Sequence, residues 1–557
     1  MAISFDDILK EIGEFGRYQK IQYLLLCFVS IFSAFLSFNM VFTGATPEHF
    51  CKRTPDETWS NITPWYDNTT YFLNRSSIGD SIGLNTSSRE QCFTIERSIN
   101  GSDVKSACKY GWIYSTEEYS STIVSQWNLV CDNKWQRGTA KSIFFAGRLA
   151  GALIFGQLSD RFGRKPVFIS ALCLQIVSGV IVALSVNMIM FYVFYLILGM
   201  MQTGVFLVAY VMGSELVGPS YRKIAGFGIQ YFYSIGYMIL AGLAYLIRDW
   251  RHLMLTISIP GVVFCSYYWI LPESARWLLS NGRREEAEAI IKKAAKTNGA
   301  AINDKNLESL ETSLPPQTKS GRKCIGVNVL QLFSSLSMAA LSFNVWFNWF
   351  VNAFVYYGLA FNTSNLGGSP YINFFISGCV EIPAYTVSVL LLDRVGRKRL
   401  LIAFMIMGGL ACIISAFIPL DLMWLIITFQ MLGKFSITAS YAIIYLYAAE
   451  VFPTSVRNIG MGISSMSARV GGIIAPLVML LTDTYQSLPL LLFGGTSILA
   501  GLLVIALPET MGRPLPETIE DLQAMHSNKK SYKMEEKQSN IINDNAVSGE
   551  LLANDDV

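Results

Sequence analysis

A chain of 557 residues that is 52% hydrophobic, 13% aromatic and only 15% charged cannot bury its apolar side chains inside water-soluble domains of ordinary composition, which makes it an integral membrane protein. The formal net charge is +3, but the basic residues sit in loops between apolar runs and form no stripe, so nucleic acid is not an expected partner. The histidines His49, His252 and His526 are too dispersed for a catalytic triad or metal cluster, and there is no phosphate-cradling glycine loop, which argues against a membrane enzyme, a resident metal and an ATP-driven pump.

Residues 1–20 are charged and mildly amphipathic and read as a cytoplasmic N-terminus without a cleavable signal, because the apolar run 21–43 is itself long enough to cross ~30 Å of hydrocarbon. A polar segment, 44–136, follows. It carries Cys51, Cys92, Cys108 and Cys131 together with acceptor sequons at Asn61, Asn68, Asn74, Asn85 and Asn100, so it is expected to be extracellular, glycosylated and disulfide-stapled. Spacing does not choose among the possible cysteine pairings. Runs at 139–158, 166–186, 188–213, 224–247 and 252–271 supply spans two to six within 139–271. A charged stretch, 272–328, then joins the halves as a cytoplasmic loop, and within it 282–296 has acidic and basic residues at the spacing of a surface helix. Runs at 338–361, 371–392, 400–420, 422–447, 458–481 and 488–507 fill 338–507, and a polar cytoplasmic tail occupies 508–557. The fold expected is an all-α membrane protein with twelve transmembrane helices in two six-helix halves and a large extracellular loop between the first two.

Two turns organise this layout. Gly156-Gln-Leu-Ser-Asp-Arg-Phe-Gly-Arg-Lys165 has a second copy in Leu391-Leu-Asp-Arg-Val-Gly-Arg-Lys-Arg399. In each, an Asp ends one apolar helix, a Gly lets the chain turn without a Cβ penalty, and basic residues follow. Basic loops between spans mark the cytoplasmic side, and with the sequons on the opposite side both termini are expected to be cytoplasmic. Copies about half a chain apart imply a duplicated protein whose halves share one orientation.

The repeated turn and the six-plus-six layout resemble the major facilitator superfamily. More narrowly, Pro272-Glu-Ser-Ala-Arg-Trp-Leu-Leu279, Asn128-Leu-Val-Cys131, Glu450-Val-Phe-Pro-Thr-Ser-Val-Arg457 and Pro508-Glu-Thr510 resemble signatures of the organic cation, carnitine and organic anion transporter family, over nearly the whole chain. Ala275 departs from the usual Pro of that pattern, with little expected effect because Pro272 already interrupts the helix. The resemblance implies a plasma-membrane carrier with a pathway between its halves near the bilayer midplane, alternately open to each side; the oligomeric state stays open, with a monomer favoured. Its implied substrates are small organic ions, most readily organic cations or carnitine-like zwitterions. The alternatives are an organic anion or urate exchanger and, more distantly, a non-transporting receptor-like protein.

Ionisable residues inside spans are expensive and usually face such a pathway. Arg469, in Met466-Ser-Ala-Arg-Val-Gly-Gly472, stands among small residues that leave room for a ligand. It reads either as a fork for a substrate carboxylate, as the resemblance to carnitine and anion carriers implies, or as a structural partner of Glu381. Glu381 in turn either balances Arg469 or attracts an ammonium group. Arg148 and Lys434 are further span charges, readable as cavity residues or as helix-to-helix glue. Tyr233, Trp346, Trp349, Tyr356, Tyr357, Tyr441 and Tyr445, with Tyr231, Phe232, Tyr237 and Tyr447 nearby in sequence, offer ring faces for an ammonium or plain packing. Gln175 and Gln202 resemble glutamines of sodium-coupled carnitine carriers, but no complete oxygen set can be named, so sodium coupling stays open and no other cofactor is expected. As a cytoplasmic gate, Asp160, Arg161, Arg164, Asp393, Arg394 and Arg397 are expected to pair with Glu215, Arg276, Glu450 and Arg457 in pairs that break on opening.

Overall fold

A computed structural model describes residues 5–52, 54–59, 88–89, 91–97, 103–300, 331–454, 456–483, 485, 487–513, 516 and 521. The sequons at Asn61, Asn68, Asn74, Asn85 and Asn100 lie outside these residues, as do most of the tail and the second half of the 272–328 loop.

A short helix, α1 (Phe5–Glu11), precedes the first long one, α2 (Arg17–Phe38). The rest of the first half is α3 (Trp135–Phe162), α4 (Arg164–Ala183), α5 (Met188–Leu216), α6 (Arg222–Leu246) and α7 (Trp250–Ser258), followed by α8 (Arg284–Asn298) in the connecting loop. The second half contains α9 (Leu336–Asn362), α10 (Pro370–Val395), α11 (Arg397–Phe417), α12 (Met423–Val451), α13 (Arg457–Val478) and α14 (Leu488–Leu503). Among the described residues, 11 helical stretches are long and apolar enough to cross a membrane. The 29-residue α12 is not one of them, and its sequence shows why: Gln430, Lys434, Ser436, Thr438 and Ser440 dilute the apolar run, and all five are buried inside the bundle.

Several helices begin a turn earlier or end a turn later than the apolar runs alone indicate. Trp135, Arg164, Arg222 and Arg397 each open a helix ahead of its apolar run, the three arginines with their charge met by a carboxylate: Glu215 for Arg164, Asp6 for Arg222 and Glu450 for Arg397. The sixth run is α-helical only in part. Beyond α7 it tightens into a 3₁₀ stretch, Ile259–Ser266, where Pro260 removes an amide donor. Side chains of Asn187, Asp249 and Ser335 cap the helices that follow them, each accepting from a first-turn amide.

Within the first half α3 packs along α5, and α2 along α6; in the second, α9 packs along α13 and α10 along α12. The halves meet through α3 against α13 and α6 against α10. Small residues set the closeness of α3 and α5: a Cβ on Gly147 or Gly151 would collide with the backbone carbonyls of Leu196 or Met200.

The segment between α2 and α3 is a small β-structured unit. β1 (His49–Cys51) pairs antiparallel with β5 (Trp112–Tyr114), and β2 (Ser88–Arg89), β3 (Phe93–Arg97) and β4 (Asp103–Ala107) form a second antiparallel sheet. Of the pairings the spacing left open, the fold selects Cys51–Cys108 and Cys92–Cys131. On the opposite face of the bundle, α1 lays Ile8, Leu9 and Ile12 on Ile291, Ala294 and Ala295 of α8. Asp6 of α1 lies 2.6 Å from Arg222 and 4.0 Å from Arg276, so Arg276 serves the N-terminal helix rather than the repeated turn.

Both repeated turns place their glycine in a conformation reserved for that residue: Gly163 has φ 102° and ψ 157°, and Gly396 has φ 101° and ψ 157°. A Cβ on Gly163 would also sit 2.5 Å from Glu273 Oε2, and one on Gly396 2.7 Å from Glu509 Oε2. Gly163→Ala is therefore expected to cost about 1–3 kcal/mol from backbone strain alone. The expected readout is a lower unfolding temperature of detergent-solubilised protein, with Gly396→Ala behaving alike; an unchanged midpoint would show that neither turn is held as described.

Candidate functional site

The turns carry matched charge clusters. In the first half, Arg164 Nη1 lies 3.0 Å from Asp160 and Nη2 3.1 Å from Glu215, while the backbone amides of Arg164 and Lys165 donate to Glu273 at 3.0 and 3.2 Å. In the second, Arg397 Nη1 lies 3.5 Å from Asp393 and Nε 3.2 Å from Glu450, while the Arg397 and Lys398 amides donate to Glu509 at 3.0 and 3.4 Å. In each half a carboxylate thus caps the N-terminus of the helix after the turn, where the dipole favours it. Glu273 and Glu509 were missed from sequence, although the signal exists: each follows a proline just past the last span of its half, in Pro272-Glu273 and Pro508-Glu509.

Of the expected gate pairs, Arg164 with Glu215 and Arg397 with Glu450 form, each within its own half. Among the described residues the ion pair that crosses between halves is Lys223 with Asp393, at 2.5 Å, and Lys223 was not among the expected members. Arg457 does not join either cluster: its Nε donates to the Phe452 carbonyl at 3.1 Å. Arg161 and Arg394 are exposed, Arg161 lying over the Phe162 ring.

At the centre, Glu381 of α10 is 0% exposed and gathers groups from three other helices. Lys434 of α12 brings its Nζ to 3.0 Å, Tyr356 of α9 donates its hydroxyl at 2.5 Å, and Ser234 of α6 donates at 2.8 Å. The Lys434 ammonium lies 3.3 Å from the Tyr356 ring centroid, and its approach to Glu381 is an ion contact rather than an aligned hydrogen bond. Glu381 is therefore paired with Lys434 and not with Arg469, which removes the second reading of Arg469 offered by the sequence.

Across the cleft, Arg148 of α3 and Arg469 of α13 come from the other pair of helices at which the halves meet. Arg148 Nη1 donates to the Tyr357 hydroxyl at 2.8 Å, and Arg469 Nη1 donates to the Ser465 carbonyl at 2.7 Å. The Nε of each is buried without a hydrogen-bond partner. Among the described residues neither guanidinium has a carboxylate within ion-pair distance, and each lies within electrostatic reach of Tyr357 and Tyr441. Both side chains are only partly buried.

Ring faces connect the two charge sites. Trp349 packs on Tyr445 with centroids 4.2 Å apart, Tyr441 lies 5.5 Å from Tyr445 and 5.9 Å from Tyr356, and Tyr356 lies 5.1 Å from Tyr357. Tyr445 is 42% exposed although it stacks on a fully buried tryptophan, as a ring facing open space within a bundle does. Tyr233 stands 6.0 Å from Phe38, a fully buried ring the sequence reading did not single out.

Other expected members are placed elsewhere. Trp346 packs with Phe333 and Phe343, Phe232 with Phe28, and Tyr447 donates to the Pro508 carbonyl beside the second turn. Tyr237 stacks on Phe374 at 3.9 Å, and Tyr231 bonds Thr386 at 2.8 Å across the halves. Gln202 donates to Ser37 Oγ at 3.2 Å, whereas both amide atoms of Gln175 are buried without a partner. A hollow of about 60 Å³ lies apart from all of these, between α1, α8 and the end of α5. One group of metal-type ligands converges among the described residues, His49 with Cys92 and Cys131, but the disulfide consumes both sulfurs.

Two helical halves around a charged, partly open cleft are the architecture of membrane carriers. The chain belongs to the family described as sugar (and other) transporter, whose pattern matches residues 89–522, within the major facilitator superfamily and alongside the organic cation, carnitine and solute carrier family 22 transporters. It is 43% identical over 525 residues to the organic cation transporter protein of Drosophila melanogaster, covering 93% of this chain and 94% of that one. It is 37% identical over 529 residues to the organic cation/carnitine transporter 2 of Homo sapiens, again covering 93% and 94%. A partially occluded inward open structure of the xylose transporter XylE from E. coli superposes with a TM-score of 0.58 at 15% identity, covering 89% of this chain and 100% of that one, a likeness of fold.

Proposed function

We propose that this protein carries small organic ions across the plasma membrane by alternating access, with organic cations and carnitine-like zwitterions as its substrates. The observation that carries this reading is the pairing of two guanidinium groups that lack an acid among the described residues, Arg148 and Arg469, with a run of ring faces, Trp349, Tyr445, Tyr441 and Tyr356. A carboxylate would be held by the guanidinium donors and a quaternary ammonium by the rings. Glu381, already satisfied by Lys434, Tyr356 and Ser234, sets the field without being the ammonium's partner. The names of the relatives, which include organic cation and organic cation/carnitine transporters, support the same substrate classes.

In this reading α12 is a span in its own right, giving twelve, and the disulfide-bonded segment is extracellular and glycosylated with both termini in the cytoplasm. Such a carrier works as a monomer and performs no covalent chemistry. Sodium coupling belongs to the proposal as well: among the described residues the buried amide oxygens of Gln175 and Gln202 have no hydrogen-bond partner, as oxygens awaiting a dehydrated cation would. The same guanidinium pair favours a second reading, an organic anion or urate exchanger. Uptake of labelled carnitine, tetraethylammonium, urate and p-aminohippurate into cells expressing the chain, with and without external sodium, separates the two. Uptake of carnitine and tetraethylammonium is expected; uptake confined to urate and p-aminohippurate would overturn the assignment, and binding without flux would favour a receptor.

A further inference from the structure

On the face that carries the disulfide-bonded segment, α10 inserts two rings into the first half: Phe374, 4.9 Å from Phe42 and 3.9 Å from Tyr237, and, one turn further out, Tyr371. Tyr371, near the start of α10, is 7% exposed and is surrounded by residues of the other half. Its ring stacks on Phe42 at 5.4 Å and 9°, meets Tyr245 edge-on at 5.5 Å and lies 5.9 Å from Tyr119. Its hydroxyl donates to the Glu118 carbonyl at 2.6 Å. Phe42 follows α2, Tyr245 lies near the end of α6, and Glu118 and Tyr119 belong to the disulfide-bonded segment, so these four walls move with the first half, while Tyr371 moves with α10 and with Phe374, which meets the Phe42 ring edge-on at 4.9 Å.

Separation of the halves on this face must withdraw Tyr371. What it leaves is a ring face on Phe42, a second ring on Tyr119 whose hydroxyl is buried without a partner, and an acceptor carbonyl at Glu118. The rim is acidic: partial burial, then the neighbouring Glu48 and Glu117, hold the Glu118 carboxyl above its ordinary range, with Arg248 opposing. Arg248 is already engaged, donating to the Glu117 carbonyl at 2.7 Å and lying over the Tyr245 ring. Ring faces, a carbonyl acceptor and surplus negative charge suit a bulky alkylammonium and offer little to a carboxylate.

We propose that the cup vacated by Tyr371 is a mouth site for quaternary ammonium ions, and that Tyr371 and the ion exclude one another. An ion in the cup holds this face open until it moves inward, and the plug closes behind it. The inference rests on the organic-ion reading above and deepens it.

External tetrabutylammonium, applied as an inhibitor of tetraethylammonium uptake by the full chain, tests it. Phe42→Leu and Tyr119→Leu are expected to raise the half-inhibiting concentration about threefold to tenfold, the worth of one lost ring, while Tyr119→Phe leaves it unchanged. Tyr371→Ala should shift it the other way, because the competing plug is gone, and Tyr371→Phe should do so more weakly, which keeps the test usable if the Ala variant is poorly expressed. Shifts of one sign for all positions, or no shift at Phe42 and Tyr119 in protein present at the surface, would overturn the proposal. If the wild-type chain carries no tetraethylammonium, the substrate reading fails on its own. Equilibrium binding of labelled tetrabutylammonium to the purified protein then reads the cup directly, and binding indifferent to Phe42→Leu and to Tyr371→Ala overturns it.

Discussion

Lys434→Met is expected to remove most folded protein from the cell surface, and the double change Lys434→Met with Glu381→Gln to restore much of it. The single change strands a carboxylate at 0% exposure, held only by the hydroxyls of Tyr356 and Ser234. Breaking a buried ion pair from one side costs about 3–5 kcal/mol, because the remaining charge has neither water nor a counter-ion. Glu381→Gln alone strands the ammonium instead, and the Tyr356 ring beneath it offsets only part of that loss. Removing both charges leaves neutral groups of similar shape, for which the penalty largely disappears. Surface biotinylation and the unfolding temperature of detergent-solubilised protein measure the effect. Normal levels of either single variant would mean that the pair opens to water and is not the closed contact described.

Arg469→Gln is expected to lower carnitine uptake about tenfold to a hundredfold while leaving tetraethylammonium uptake within a few-fold of wild type. A charge-assisted hydrogen bond to a carboxylate is worth about 1.5–3 kcal/mol, and each ~1.4 kcal/mol is a factor of ten. The side chain holds only Ser465 in its own helix, so its removal strands no buried acid and the fold should survive. A simple quaternary cation gains nothing from Arg469 and is repelled by it. Equal loss for both substrates, at normal surface level, would make the residue scaffolding and withdraw the zwitterion preference. Arg148→Gln should follow the same pattern more weakly, because that guanidinium is partly engaged with the Tyr357 hydroxyl.

The turns were the most legible part of the chain. Asp160 with Arg164 and Asp393 with Arg397 lie four residues apart across a one-glycine turn, close enough to meet whatever the rest does. Glu273 and Glu509 were not found, because each lies more than a hundred positions beyond the turn it caps, and sequence spacing carries no information about which loop folds under which helix. The partner of Glu381 was left open, with Arg469 as the residue named for it, for a related reason. Arg469 and Lys434 are both span cations of the second half, and only the packing of α12 against α10 puts Lys434 beside the acid. The aromatic plug at Tyr371 went unnoticed because rings are common in membrane spans, and nothing in the order of residues marks the one that crosses from half to half.

Sequence by itself determined that the chain is a membrane protein built from a repeated half, where its long helices run to within a turn or so, and which of its residues are too costly in a bilayer to lack a purpose. Those properties follow from the apolar content of ~20-residue stretches and from local turn chemistry, both of which act over short distances along the chain. Only the tertiary structure decided the pairings: Cys51 with Cys108, Glu381 with Lys434, Asp393 with Lys223, and Arg148 and Arg469 left without an acid among the described residues. Each of these depends on which helix faces lie against one another, and packing distributed over the whole bundle sets those faces, so no short stretch of residues encodes them.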